Sequence, residues 1–116
     1  MNVNEYLTGL LRIEVDAGKI SAIENIYGKI KSEYVVKIIS GSAEAAFLAN
    51  GSVLRVLSFE EIKDAGADFS SRHLLPLFDC GDNDFIVYHV LTDDWSKFNA
   101  TERVIFKRKQ LLTDLL

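Results

Sequence analysis

Three carboxylates, Asp79, Asp82 and Asp84, stand around Gly81, with Cys80 among them and His73 and His89 to either side. Hard cations take several oxygen ligands, so this cluster is the first place to look for calcium or magnesium. The spacing lacks the alternating ligands and the closing Glu of an EF-hand loop. Asp and Asn also bond their own backbone in turns, and a turn accounts for these residues equally well. A cysteine nucleophile needs a lowered pKa and a base within reach. Neither is evident, so Cys80 reads as a buried structural thiol. His89, inside the apolar run Phe85–Val90, reads as a packing residue rather than a general base. The chain has no G-x-S-x-G, P-loop, dinucleotide fingerprint, H-E-x-x-H or second cysteine for zinc. No catalytic residue, metal ligand or cofactor is assigned on this basis.

The elements around these residues are set out by the same stretch. Leu74–Phe78 and Phe85–Val90 are two apolar runs, rich in aromatic and β-branched residues, that flank the polar corner Asp79–Asp84. Such runs favour strands, and the corner has the turn chemistry to join them. Pro76 cannot donate to a ladder, so the first strand should be an edge there or begin near it.

The spacing of Tyr6, Leu7, Leu10, Leu11 and Ile13 predicts an amphipathic helix from Asn4, capped by Asn4 or Asn2. A turn at Asp16-Ala17-Gly18 leads to a second helix carrying Ile20, Ile23, Ile26, Tyr27 and Ile30, with Ser21 and Glu24 spaced as a capping box. Gly28 falls inside it. Residues 32–39 read as a third, short helix capped by Ser32. After the breaker Ser40-Gly41-Ser42, a strand from Ala43 to Leu48 pairs with one from Ser52 to Leu57 through Asn50-Gly51, a strong hairpin signal. Ser58 and Glu61 form a capping box for a short helix ending at Gly66, and Ala67–Arg72 reads as a loop. A turn at Leu91–Asp94 precedes strands at Trp95–Phe98 and Val104–Phe106. Lys107–Leu116 reads as a terminal helix carrying Leu111, Leu112, Leu115 and Leu116.

The fold class is therefore α+β in one domain, 1–116. N-terminal helices pack on a mainly antiparallel sheet of about five strands, and a C-terminal helix follows. At 116 residues, such a domain buries roughly two thirds of its unfolded surface. No apolar run approaches the roughly 20 residues that span a bilayer, and Met1–Tyr6 shows no basic n-region. One cysteine makes no internal disulfide, and the cytoplasm is the expected compartment.

Charge is distributed unevenly. Residues 1–55 are neutral overall, residues 56–102 carry ten acids against three bases, and residues 103–116 carry four bases against Asp114. An acidic middle repels nucleic acid and suits a basic protein partner.

From Ile26 onward the chain resembles the SUKH superfamily. The resemblance rests on a helix leading into Ser32-Glu33-Tyr34, the Asn50-Gly51 hairpin and Leu54–Ile62. It continues through Pro76-Leu77-Phe78-Asp79, Gly81-Asp82, Phe85–Tyr88, Trp95–Asn99 and Leu111–Leu116. It covers roughly three quarters of the chain, and where family members often have Leu-Pro before the Tyr-bearing helix, Ile30-Lys31 stands here. The superfamily consists of small α+β proteins, including many bacterial toxin-immunity proteins and yeast cell-wall regulators of the Smi/Knr type. The resemblance implies a non-enzymatic protein that neutralises a partner toxin by binding it. With the charge pattern, it implies a partner surface on Asp82, Asp84, Asp93 and Asp94, facing a basic toxin, a nuclease being one expected kind. The alternatives are a regulatory scaffold for a cellular protein, or a small metal-binding enzyme using Asp79, Asp82, Asp84 and His89.

Overall fold

A computed structural model describes residues 1–41 and 45–116. Among them are five α-helices: α1 (Val3–Leu10), α2 (Ala17–Tyr27), α3 (Glu33–Gly41), α4 (Phe59–Lys63) and α5 (Ala67–Ser70). The strands are β1 (Ala46–Ala49), β2 (Ser52–Val56), β3 (Leu74–Gly81), β4 (Asp84–His89), β5 (Asp94–Asn99) and β6 (Val104–Lys109). They form one antiparallel meander in which each strand pairs with its neighbours in sequence. The α+β reading holds, with six strands instead of about five.

The helix starts follow local chemistry. Asn2 and Glu5 form a capping box on α1, and Ser58 and Glu61 form another on α4, so four backbone donors that a helix start leaves open are satisfied by side chains. Ser32 caps α3, its hydroxyl accepting from the Val35 amide at 3.4 Å. In α2 the cap is Asp16 rather than Ser21: its carboxylate accepts from the Lys19 amide at 3.1 Å. Glu24 instead reaches forward to the Ile30 amide at 2.9 Å. Gly28 ends the helix at φ 112°, where an added Cβ would stand 3.1 Å from Val90. The chain turns there because only glycine fits both the backbone and the neighbour.

Asn50-Gly51 and Asp82-Asn83 are both two-residue hairpin turns with φ positive at each position, the geometry that matches strand twist. The corner expected over Asp79–Asp84 is therefore narrower, since β3 runs on to Gly81. Pro76 lies two residues into β3. The β2 ladder reaches only Phe78 and Asp79, so the strand has one ladder partner at Pro76, Val87 of β4.

Both faces of the central sheet are covered, which is why β3 and β4 read as near-continuous apolar runs. On one face Tyr6 of α1 stacks on Phe47, with centroids 4.4 Å apart, and meets the edge of Phe78 at 5.9 Å. On the other, Phe69 of α5 stands edge-on to Phe85 and Phe98 at 5.5 and 5.3 Å. The stretch read as a loop is thus a helical turn, held by the burial of Phe69.

The chain end also departs from expectation. Lys107–Lys109 complete β6, and Leu112–Asp114 form a single 3-10 turn instead of a helix. Ten residues are too few for a helix to stand on its own, and the edge of β5 offers hydrogen bonds at once. Leu112 and Leu115 still reach the core. Of the earlier expectations, Ala43 and Glu44 of the first strand and Ser42 of the breaker lie outside the described residues.

Candidate functional site

The four acids assigned to a partner surface do not form one patch. Asp82 and Asp84 belong to the β3–β4 hairpin and Asp93 and Asp94 to the β4–β5 hairpin, at opposite ends of β4. Five residues of strand separate the two ends, roughly 17 Å.

Their environments differ as well. Asp82 is exposed, and among the described residues its carboxylate has no hydrogen-bond partner. Asp84 is half-buried and accepts from Asn99 Nδ2 at 2.8 Å. Asp93 accepts from the Tyr88 hydroxyl. Asp94 is not an exposed acid: it is buried, paired with Arg108 through Nε and through Nη2 at 3.1 Å, and bonded by the Thr92 hydroxyl. Hydrogen bonding from Arg108 holds its pKa below the usual carboxylate range. Asp94 thus ties β5 to β6, and its charge is already met.

His73 Nδ1 lies 2.8 Å from the Tyr27 carbonyl, where it secures the end of α2. Burial raises the pKa of half-buried Cys80, which leaves a poor thiolate. Among the described residues no three His, Cys, Asp or Glu side chains are grouped to hold a metal ion.

His89 Nε2 lies 2.7 Å from Ser96 Oγ, and Asp94 is the cross-strand neighbour of His89. The trio has the residue types of a hydrolase triad. Ser96 has no exposed surface, however, so a substrate carbonyl cannot approach its oxygen. The pair satisfies two buried polar groups instead.

A concave site does exist elsewhere on the sheet. Between β2, β3 and β4 on one side and α4 and α5 on the other lies a groove of about 480 Å³. Leu57, Ala65, Phe69, Pro76 and Phe85 supply its apolar lining, and Glu60, Glu61, Asp64 and Asp79 line it together with Arg55. Phe85 is only half-buried because its ring forms part of this wall.

The electrostatics of the groove are organised by Arg55. Its fork donates to Glu61 Oε1 and Oε2 at 2.8 and 2.9 Å, and Nη2 also reaches Asp79 at 3.2 Å. Those bonds pull the Glu61 pKa down to about 2. Glu60 pairs with Lys63 at 3.0 Å on the rim. Arg55 and Lys63 together offset two of these four carboxylates, so the groove keeps a net negative charge over an apolar lining.

Sequence reading misses the groove because its walls come from residues 55–85 through five separate elements. The signal available is the acid excess in residues 56–102, which includes Glu60, Glu61 and Asp64 as well as the acids of the turns. No family model matches the chain, and no curated protein or solved structure matches it.

Proposed function

We propose that this chain is a non-enzymatic binding protein of the toxin-neutralising kind, acting in the cytoplasm on a basic protein partner. The observation that carries the reading is the groove, where carboxylates of α4 and β3 stand over an apolar lining. A Lys or Arg side chain has the complementary form, an aliphatic stem with a charged head. Its volume lies in the ordinary range for binding sites, roughly 300–1,000 Å³. Basic clefts are what nucleic-acid-processing toxins present, and a carboxylate surface can stand in for the phosphates they hold. Asp82 and Asp84 add acids on the adjoining β3–β4 hairpin, whereas Asp93 lies at the far end of β4.

The test needs a candidate basic toxin domain, sought among the products of adjacent genes. Its association and dissociation rates are measured with wild type, with Glu60→Gln/Asp64→Asn, and with Asp82→Asn/Asp84→Asn/Asp93→Asn, at low and high salt. The groove variant should associate more slowly and lose salt dependence, because rim charges act mainly on association. Unchanged binding by that variant rejects the groove as the contact surface. Loss confined to the hairpin variant moves the interface to the turns.

A further inference from the structure

The two edges of the sheet are treated differently. At β1 the N-terminus lies alongside: the Leu48 amide donates to the Met1 carbonyl at 3.0 Å, and Asn2 forms a parallel bridge with Leu48. At β6 no strand lies on the outer side among the described residues. An edge of this kind presents a row of unpaired backbone donors and acceptors.

The side chains of β6 divide it in two. Val104 and Ile105 are exposed, at 48% and 40%, an uncommon state for β-branched residues in a strand. Lys107 and Lys109 are also exposed, while Arg108 is committed to Asp94 and Thr92. Lys107 has φ 50°, and the register with β5 shifts between Trp95 and Lys97. Lysines and a bulge are the usual means of blunting an edge. Here they protect only the second half, and Val104–Phe106 remains regularly paired with β5 and open on its other side.

We infer that β6 is a strand-addition site for an acidic, extended segment of another protein. Backbone pairing along Val104–Phe106 would give affinity, and carboxylates beside Lys107 and Lys109 would select the partner. A second copy of this chain is a poor occupant. Two antiparallel β6 edges side by side bring Lys107 of each copy opposite Arg103 of the other, a like-charge contact that Asp68, 3.5 Å from Arg103, offsets only in part. This surface is separate from the groove and asks for the opposite charge.

The probe is a fluorescent nonapeptide with three Glu residues followed by alternating Val and Thr. Its anisotropy is read at low salt against wild type, against Lys107→Glu/Lys109→Glu, and against a scrambled peptide. Wild type should bind the ordered peptide, and its outward amides within Val104–Phe106 should gain hydrogen-exchange protection. The charge reversal should weaken binding about tenfold or more. Because both lysines are exposed, an unchanged melting curve certifies the variant's fold. Equal binding by the reversed variant, equal binding of the scrambled peptide, or protection elsewhere would overturn the proposal. So would self-association of the wild type through the same amides.

Discussion

The carboxylate of Glu61 serves Arg55 and the start of α4 together. One oxygen accepts from the Ser58 amide at 3.0 Å, and both accept from the Arg55 fork at 2.8 and 2.9 Å. The helix start is thereby bound to β2, and the shape of the groove depends on it.

Glu61→Ala should therefore cost more than either interaction alone. The cap is worth about 0.5–2 kcal/mol, and a solvent-screened ion pair about 0.2–1 kcal/mol. Arg55→Ala should cost less, and the pair should couple in a double-mutant cycle followed by urea denaturation. Strict additivity would mean that the fork contributes nothing. The pH sign follows from the lowered pKa: this stabilisation is present above the ordinary Glu value of 4.5 and is lost as pH falls towards about 2.

His89 should make the protein sensitive to mild acid. Burial lowers its pKa, with Arg108 adding to the effect and Asp94 opposing it. The unfolded imidazole near 6.5 binds its proton before the folded one does. Stability should thus fall as pH drops below about 6.5. A His89→Gln variant, which keeps a bond to Ser96 within reach, should show a flatter melting temperature between pH 7 and 5. Parallel curves for the two proteins would refute a neutral buried imidazole.

Phe78 and Phe85 separate core from wall. Phe78 is fully buried between Tyr6 and Phe47, so Phe78→Ala should cost about 3–5 kcal/mol. Phe85→Ala should cost clearly less, because part of its ring already faces the groove. Urea midpoints rank the two, and the reverse order would show that the groove is closed in solution.

Gly51 isolates a backbone effect. It has φ 77° with no atom near a would-be Cβ, so Gly51→Ala adds conformational strain without a clash. The expected cost is about 1–2 kcal/mol, with Gly51→Asn less affected. A thermal scan showing no loss for alanine would mean that the turn relaxes into another form.

Much of this architecture follows from short-range chemistry that the amino-acid sequence carries by itself. The capping box at Ser58, the Asn50-Gly51 turn and the apolar runs of β3 and β4 each act within a few residues, so spacing reveals them, whereas spacing leaves Asn2 and Asn4 open at α1 and points to Ser21 where Asp16 caps α2. Asp94 illustrates what spacing cannot reveal: its burial depends on Arg108, which arrives only when β6 pairs with β5. The terminal leucines repeat at helical intervals, yet β5 captures the preceding lysines because an open strand edge offers hydrogen bonds immediately. Phe69 becomes helical and buried for the same kind of reason, since Phe85 and Phe98 are there to receive it. The groove is the largest case. Arg55, Glu61, Asp79 and Phe85 meet because antiparallel pairing returns the chain upon itself, and long-range packing, unlike a cap or a turn, leaves no local period to read.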